Sequence, residues 1–190
     1  MLLKTTFLGP LGLLIATATG AQAAHAHVAA RHNVSIPMDQ RSAAEVVAQL
    51  NLVPNDEKGY YVQTFEDPDQ VIRTGSDNGT RSASTEIYYL LEGAAGSSYW
   101  HRVDAVEVWH YYAGAPLTLS LSNDDGAAPV ERLLGPDVFD GQQPQVAIPK
   151  GTWQSALSHG RWTLVGTTVA PGFVPDGVEL APPGWEPNGA

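Results

Sequence analysis

Through most of the chain, hydrophobic and polar positions alternate in short bursts, separated by Gly, Pro, Asn and Asp. Residues 117–121 alternate one by one, which is the two-residue period of a strand with one buried face. Residues 60–65 are rich in aromatic and β-branched side chains, and residues 84–91 read as a mostly buried strand. Residues 99–103 and 106–112 predict two more strands, divided near Asp104. Further strands are expected over 145–148, 153–157 and 162–169. The punctuation lies at 75–79, 93–96, 114–116, 123–126, 149–151 and 158–160, where Gly, Pro, Asn, Asp and Ser cluster. Many short strands with such turns argue for an all-β sandwich or barrel. One helix precedes them. Ser42-Ala43-Ala44-Glu45 has the form of a capping box, Val46, Val47 and Leu50 give a short apolar stripe, and Pro54 lies past the end.

The start of the chain departs from this pattern. Met1-Leu2-Leu3-Lys4 carries one positive charge, residues 7–18 are mostly apolar but interrupted by Gly9, Pro10 and Gly12, and Ala21-Gln22-Ala23 fits a small-x-small cleavage site. Residues 1–23 therefore read as a secretory signal peptide, cut after Ala23, and the protein as secreted. The apolar run is too short and too broken to be a comfortable membrane span. Residues 24–39 read as a linker, with His25, His27 and His32 as part of its composition rather than a metal-binding tail. Residues 40–181 form the expected domain, with no internal repeat, and residues 182–190 a C-terminal tail. Asn33-Val34-Ser35 and Asn78-Gly79-Thr80 are sequons, which makes Asn33 and Asn78 candidate glycosylation sites.

Composition narrows the function. The 190-residue chain has a formal net charge of -10, which disfavours sequence-independent binding to nucleic acid. No basic amphipathic stretch suggests a membrane partner. With no cysteine there is no disulfide, thiol nucleophile or thiolate ligand. No glycine-rich phosphate loop and no nucleophile elbow is present. The hydrophobic fraction of 43% is ample for a core.

The candidate chemistry lies on two adjacent predicted strands. Alternation puts His101 on a face with Tyr99 and Val103, and Glu107 on a face with Trp109 and Tyr111. His110 falls on the opposite face, with Val108 and Tyr112. If the first faces line a barrel, His101 and Glu107 share its interior, where polar groups need partners. Plainer roles are open to each. His101 would serve as a hydrogen-bonded pocket residue, Glu107 as a partner of Arg102 or His110, and Gln154 as a partner for backbone. Trp109, Tyr111 and Trp153 suit a core or pocket wall.

The blocks around these residues resemble the cupin superfamily, and within it the small family called cupin 5. They are Glu57-Lys58-Gly59-Tyr60-Tyr61, Ser84-Thr85-Glu86-Ile87-Tyr88-Tyr89-Leu90-Leu91, His101-Arg102 and Glu107-Val108-Trp109-His110-Tyr111-Tyr112-Ala113-Gly114. Pro149-Lys150-Gly151-Thr152-Trp153-Gln154 and the stretch from Leu164 to Phe173 follow. The resemblance implies a cupin-type double-stranded β-helix, a jelly-roll barrel with a short N-terminal helix, assembled as a homodimer. Typical cupins hold a divalent metal through two His one residue apart, a Glu a few residues on and a later His. Here His101 and Glu107 keep two positions, but Val103 and Gln154 occupy the other two. No cofactor is therefore expected. The alternative is one divalent metal ion on His101, Glu107, His110 and Gln154.

Three functions follow. One is a metal-independent isomerase, epimerase, dehydratase or cyclase with His101 and Glu107 as catalytic acid and base. Its ligand-binding residues would be Tyr61, Trp109, Tyr111, Trp153 and Gln154. The second is a non-catalytic protein that binds a small-molecule ligand in the same pocket. The third is a metal-dependent cupin enzyme with a degenerate ligand set.

Overall fold

The structure is a computed structural model of the chain and describes residues 36–73 and 79–190. The expected signal peptide, most of the linker, and both sequon asparagines, Asn33 and Asn78, lie outside the described residues. Among those residues a single compact unit spans Ile36–Ala190. It is longer at both ends than the domain expected over 40–181.

The strands are β1 (Val53–Pro54), β2 (Tyr60–Glu66), β3 (Gln70–Ile72), β4 (Thr80–Ser82), β5 (Thr85–Glu92) and β6 (His101–Val103). They continue with β7 (Val106–Gly114), β8 (Leu117–Ser122), β9 (Val130–Leu134) and β10 (Gln145–Ile148), then β11 (Trp153–Ser158), β12 (Trp162–Ala170) and β13 (Val178–Leu180). One sheet has the order β1-β2-β5-β12-β7-β10, a second β13-β6-β11-β8-β9, and β3-β4 form a separate hairpin. All pairings between these strands are antiparallel. The two sheets face each other as a jelly roll, the all-β architecture expected from the sequence.

Two-residue alternation sorts the side chains into an inner and an outer set. Along β5, Thr85, Ile87, Tyr89 and Leu91 point inward, while Leu90 points out. Along β12, Val165, Thr167 and Val169 point inward, while Trp162 and Leu164 point out. One end of the interior is filled by Leu91, Leu117, Leu119, Leu134, Ile148 and Val165, each almost wholly buried. The inward residues toward the other end of the same strands, Thr85, Ile87, Thr167 and Val169, border a cavity instead.

The outer set is covered by segments from both ends of this unit. The helix α1 (Ala43–Leu50) lays Val46 against Leu90, Trp162 and Leu164. Its start is fixed as the sequence predicts: Ser42 Oγ accepts the Glu45 N–H, and the Glu45 carboxylate accepts the Ser42 N–H. Arg161 and Trp162 donate to the Asp39 and Arg41 carbonyls, so the final residues of the expected linker are part of the domain. Residues 182–190 are likewise not a loose tail. Trp185 packs against Trp100 and Trp153, Glu186 accepts the Trp100 indole N–H at 2.8 Å, and Asn188 donates to Asp124. Together they form a strap over the outer face of the five-stranded sheet.

The break between β6 and β7 is held by charge. Asp104 accepts from Arg73 and Arg81 at 2.6 Å, which fastens the β3-β4 hairpin to the turn. Its backbone N–H donates to Gly177, a position where an added Cβ would come within 2.6 Å of the Asp104 carboxylate. Hydrogen bonds from Arg81 and Arg73, aided by their charges, hold the Asp104 carboxyl down to about 2 against the opposing effect of burial. A folded-state pKa below the ordinary 3.8 contributes stability above that value and loses it as pH falls toward 2. Asp104→Asn is therefore expected to be about 2 kcal/mol less stable than wild type at neutral pH. In denaturant titrations the gap should close as pH falls from 3.8 to about 2. A gap that persists at the acidic end would show that the two arginines do not act through this charge.

Candidate functional site

The cavity encloses about 850 Å³ between the two sheets, at the end opposite the packed core. This is within the usual range for small-molecule sites. Strands β2, β5, β7 and β12 supply one wall, β6 and β13 the other, and the loops at 55–57 and 173–175 frame the opening. Tyr61, Phe173 and Leu180 are about 36–41% exposed and sit toward solvent. His101, Glu107, Trp109 and Tyr89 are almost wholly buried.

His101 points into the cavity from β6. Its Nδ1 lies 3.3 Å from the Tyr99 carbonyl, which can only accept, so Nδ1 carries the hydrogen. Glu57 Oε2 lies 3.5 Å from the same nitrogen. Nε2 has no hydrogen-bond partner among the described residues, although the side chain is only 4% exposed.

Glu107 enters from β7 and is held from behind. Trp109, two residues along the same inward face, donates its indole N–H to Gln154 Oε1 at 3.0 Å. An indole N–H can only donate, so this bond sets which end of the amide is oxygen. Gln154 Nε2 then donates to Glu107 Oε2 at 2.6 Å. Gln154 itself is 1% exposed and does not border the cavity. It stands opposite His101 in the β11-β6 register.

Glu57 is a site residue that the sequence analysis did not single out. It sits in the turn before β2, and several bonds aim it into the barrel. Lys58 Nζ donates to the Ala95 and Ser97 carbonyls at 2.9 and 2.6 Å, and the Tyr89 hydroxyl donates to the Lys58 carbonyl at 3.1 Å. The Tyr99 N–H donates to the Glu57 carbonyl. Gly59 has φ +70°, and a Cβ there would lie 2.4 Å from the Leu90 carbonyl. Glu57 keeps 23% of its side chain exposed, but it opens on the cavity. Desolvation raises its pKa above the ordinary 4.5, the nearby His101 opposes that, and the Glu107 and Asp56 carboxylates add to it. Tyr89, also on the cavity wall, is raised by burial and by Glu57.

The remaining expected site residues divide. Tyr61 and Trp109 border the cavity. Tyr111 does not: it packs against the closed end of the core and its hydroxyl donates to the Gly114 carbonyl at 2.6 Å. Trp153 alternates with Gln154 and so faces outward, under Trp185 and with the Arg102 guanidinium 4.7 Å from its ring centre. His110 lies on the outer face of β7, near Thr168. The four residues proposed for a metal therefore do not converge. His110 is on the wrong face, Gln154 presents nitrogen to Glu107 rather than a lone pair to the cavity, and Val103 has no donor. Among the described residues no three His, Asp or Glu side chains come together as metal ligands. The site does not fit the divalent metal of typical cupins.

The model of the family described as Cupin superfamily (DUF985), Cupin_5, matches residues 44–181. The chain belongs to this cupin family. Among solved structures, it is similar to a hypothetical protein from Leishmania major, with 27% identity, a TM-score of 0.66, and 73% of this chain and 86% of the other covered. It is also similar to a protein from Shewanella oneidensis, with 29% identity, a TM-score of 0.64, and coverage of 74% and 85%. No curated protein matches it. The cupin architecture accounts for the interior position of His101 and Glu107. Between the sheets, the Gln154 amide bridges Trp109 and Glu107.

Gln154→Met keeps the length of the side chain and removes both hydrogen bonds. It leaves the Trp109 N–H and one Glu107 oxygen buried without a partner, and should cost about 1–3 kcal/mol in urea unfolding. Stability equal to wild type would mean that the relay is not the support described.

Proposed function

We propose that this cupin is a metal-independent enzyme that moves protons on a small molecule held in the barrel cavity, as an isomerase, epimerase, dehydratase or cyclase. The supporting observation is the state of His101. Its Nδ1 hydrogen is committed to the Tyr99 carbonyl, so in the neutral ring Nε2 holds the lone pair, and that nitrogen belongs to a buried side chain on the cavity wall. This is the arrangement of a general base. Glu107 offers a second proton-exchanging atom, since Gln154 occupies one carboxylate oxygen and leaves the other. Glu57 keeps its proton to a higher pH than an ordinary carboxyl and suits the role of acid. In the proposed step, Nε2 takes a proton from a C–H or O–H of the substrate, and Glu57 or Glu107 returns one at a neighbouring atom. Each positioned group contributes roughly 10²–10⁴-fold. Export and assembly as a homodimer belong to the same proposal; a second copy would extend the sheet edges at β9 or β10.

Incubation in D₂O with a pooled library of sugars, polyols, amines and aromatic metabolites tests the reading. Wild-type protein is expected to convert at least one compound, or to exchange its C–H for deuterium. His101→Gln and Glu107→Gln should each slow this by roughly 10²-fold or more, with stability within about 1 kcal/mol of wild type. Binding without conversion or exchange by wild type would make the cavity a binding site only.

Glu57 supplies a separate check. Its raised folded-state pKa means that wild-type stability declines as pH rises above the ordinary 4.5. Glu57→Gln removes that decline. Thermal unfolding should show the variant level with wild type below 4.5 and more stable at neutral pH. A variant that is less stable at neutral pH would mean that the Glu57 carboxylate is a structural ion-pair partner of His101.

A further inference from the structure

Carboxylates dominate the charge around the cavity, with His101 the one basic side chain among its described lining residues. Asp56, Glu57, Glu66 and Glu107 all border it, and among the described residues no Lys or Arg does. The cations nearby in sequence are committed elsewhere. Lys58 is bound to the Ala95 and Ser97 carbonyls, Arg102 lies over Trp153 and pairs with Glu179, and Arg73 and Arg81 hold Asp104. Glu107 is stabilised by a neutral amide alone, so its charge has no counter-ion apart from what His101 supplies. The unpartnered Nε2 of the buried His101 marks the same space as one shaped for a ligand. Its other walls are apolar or aromatic: Ile87, Val103, Trp109, Val169 and Val178.

We infer that the ligand of this cavity carries a protonated amine on an apolar or aromatic body, and that anionic molecules are excluded. The inference rests on the proposed working site and names its substrate class. A cation entering beside Glu107 replaces the solvent that the carboxylate has lost, whereas a carboxylate or phosphate meets the same four acids with only His101 to offset them. The exposed Asp56 and Glu66 at the opening extend that selection outward, attracting cations before they reach the buried groups. The raised pKa of Glu57 agrees with this, because it reflects the like charges of Glu107 and Asp56 as well as burial. Aromatic faces beside a cation add a further attraction.

Three probes of equal ring and chain length separate the effect: tyramine, tyrosol and 4-hydroxyphenylacetate, compared by calorimetry or NMR titration at neutral pH and low salt. Tyramine is expected to bind about tenfold tighter than tyrosol, with 4-hydroxyphenylacetate weakest. Glu107→Gln should remove about tenfold of the tyramine preference while tyrosol is held as before. Glu66→Gln, at an exposed position outside the core, should weaken tyramine alone and covers the case in which Glu107→Gln fails to fold. Tyramine binding no tighter than tyrosol, or no tyramine binding at all, would overturn the inference. The D₂O experiment is independent. Exchange without amine preference overturns only the charge selection, and amine preference without exchange overturns only the acid–base reading.

Discussion

A carboxylate removed from water must be given a donor, and in this barrel the donor is a single amide. Gln154 belongs to the five-stranded sheet, while Trp109 and Glu107 belong to the six-stranded one. The relay from indole to amide to carboxylate therefore crosses the interior and joins the two sheets where the packed core gives way to the cavity. Because the indole can only donate, the amide has one usable orientation, and the carboxylate receives its N–H without any titration of the bridge itself. The site above it inherits this order: the Glu107 oxygen that faces the cavity is placed by groups that do not change charge.

The amide at position 154 also decides what the interior offers to a ligand. A histidine at position 154 would present a lone pair to the barrel interior, and Glu107 would then share a cation with it. The amide instead spends its oxygen on Trp109 and its nitrogen on Glu107. Val103 removes another donor from the His101 strand and adds apolar wall. What remains is an imidazole, the buried carboxyl of Glu107, the partly exposed carboxyl of Glu57 and a ring of hydrophobic side chains.

Much of this was legible in the sequence. The capping box at Ser42 and Glu45, the long central strands and the inward faces of His101 and Glu107 follow from local chemistry and two-residue alternation, both of which act over a few residues. Strands β1, β3, β4, β9 and β13 were not expected. They are short or mostly exposed, and β1, β9 and β13 lie at sheet edges, so their residues carry little hydrophobic alternation. In the sequence Tyr111 and Trp153 read as pocket residues because aromatic side chains suit one. Alternation alone does not say how far along the barrel a residue lies, or that residues 182–190 fold back over Trp153. Glu57 was missed for a related reason. It sits in a turn without periodicity, and its inward aim depends on Tyr89, Ala95, Ser97 and Tyr99, which lie 32–42 residues away.

The strap at the end of the chain bears on how the protein is handled. Trp185, Glu186 and Asn188 are bound to Trp100, Trp153 and Asp124, and the Ala190 N–H donates to the Pro187 carbonyl, so residues 185–190 form a docked segment. An affinity tag or fusion partner joined directly at Ala190 would compete with that docking and loosen the cover over the five-stranded sheet. Fusions are better separated from Ala190 by a flexible glycine-serine spacer.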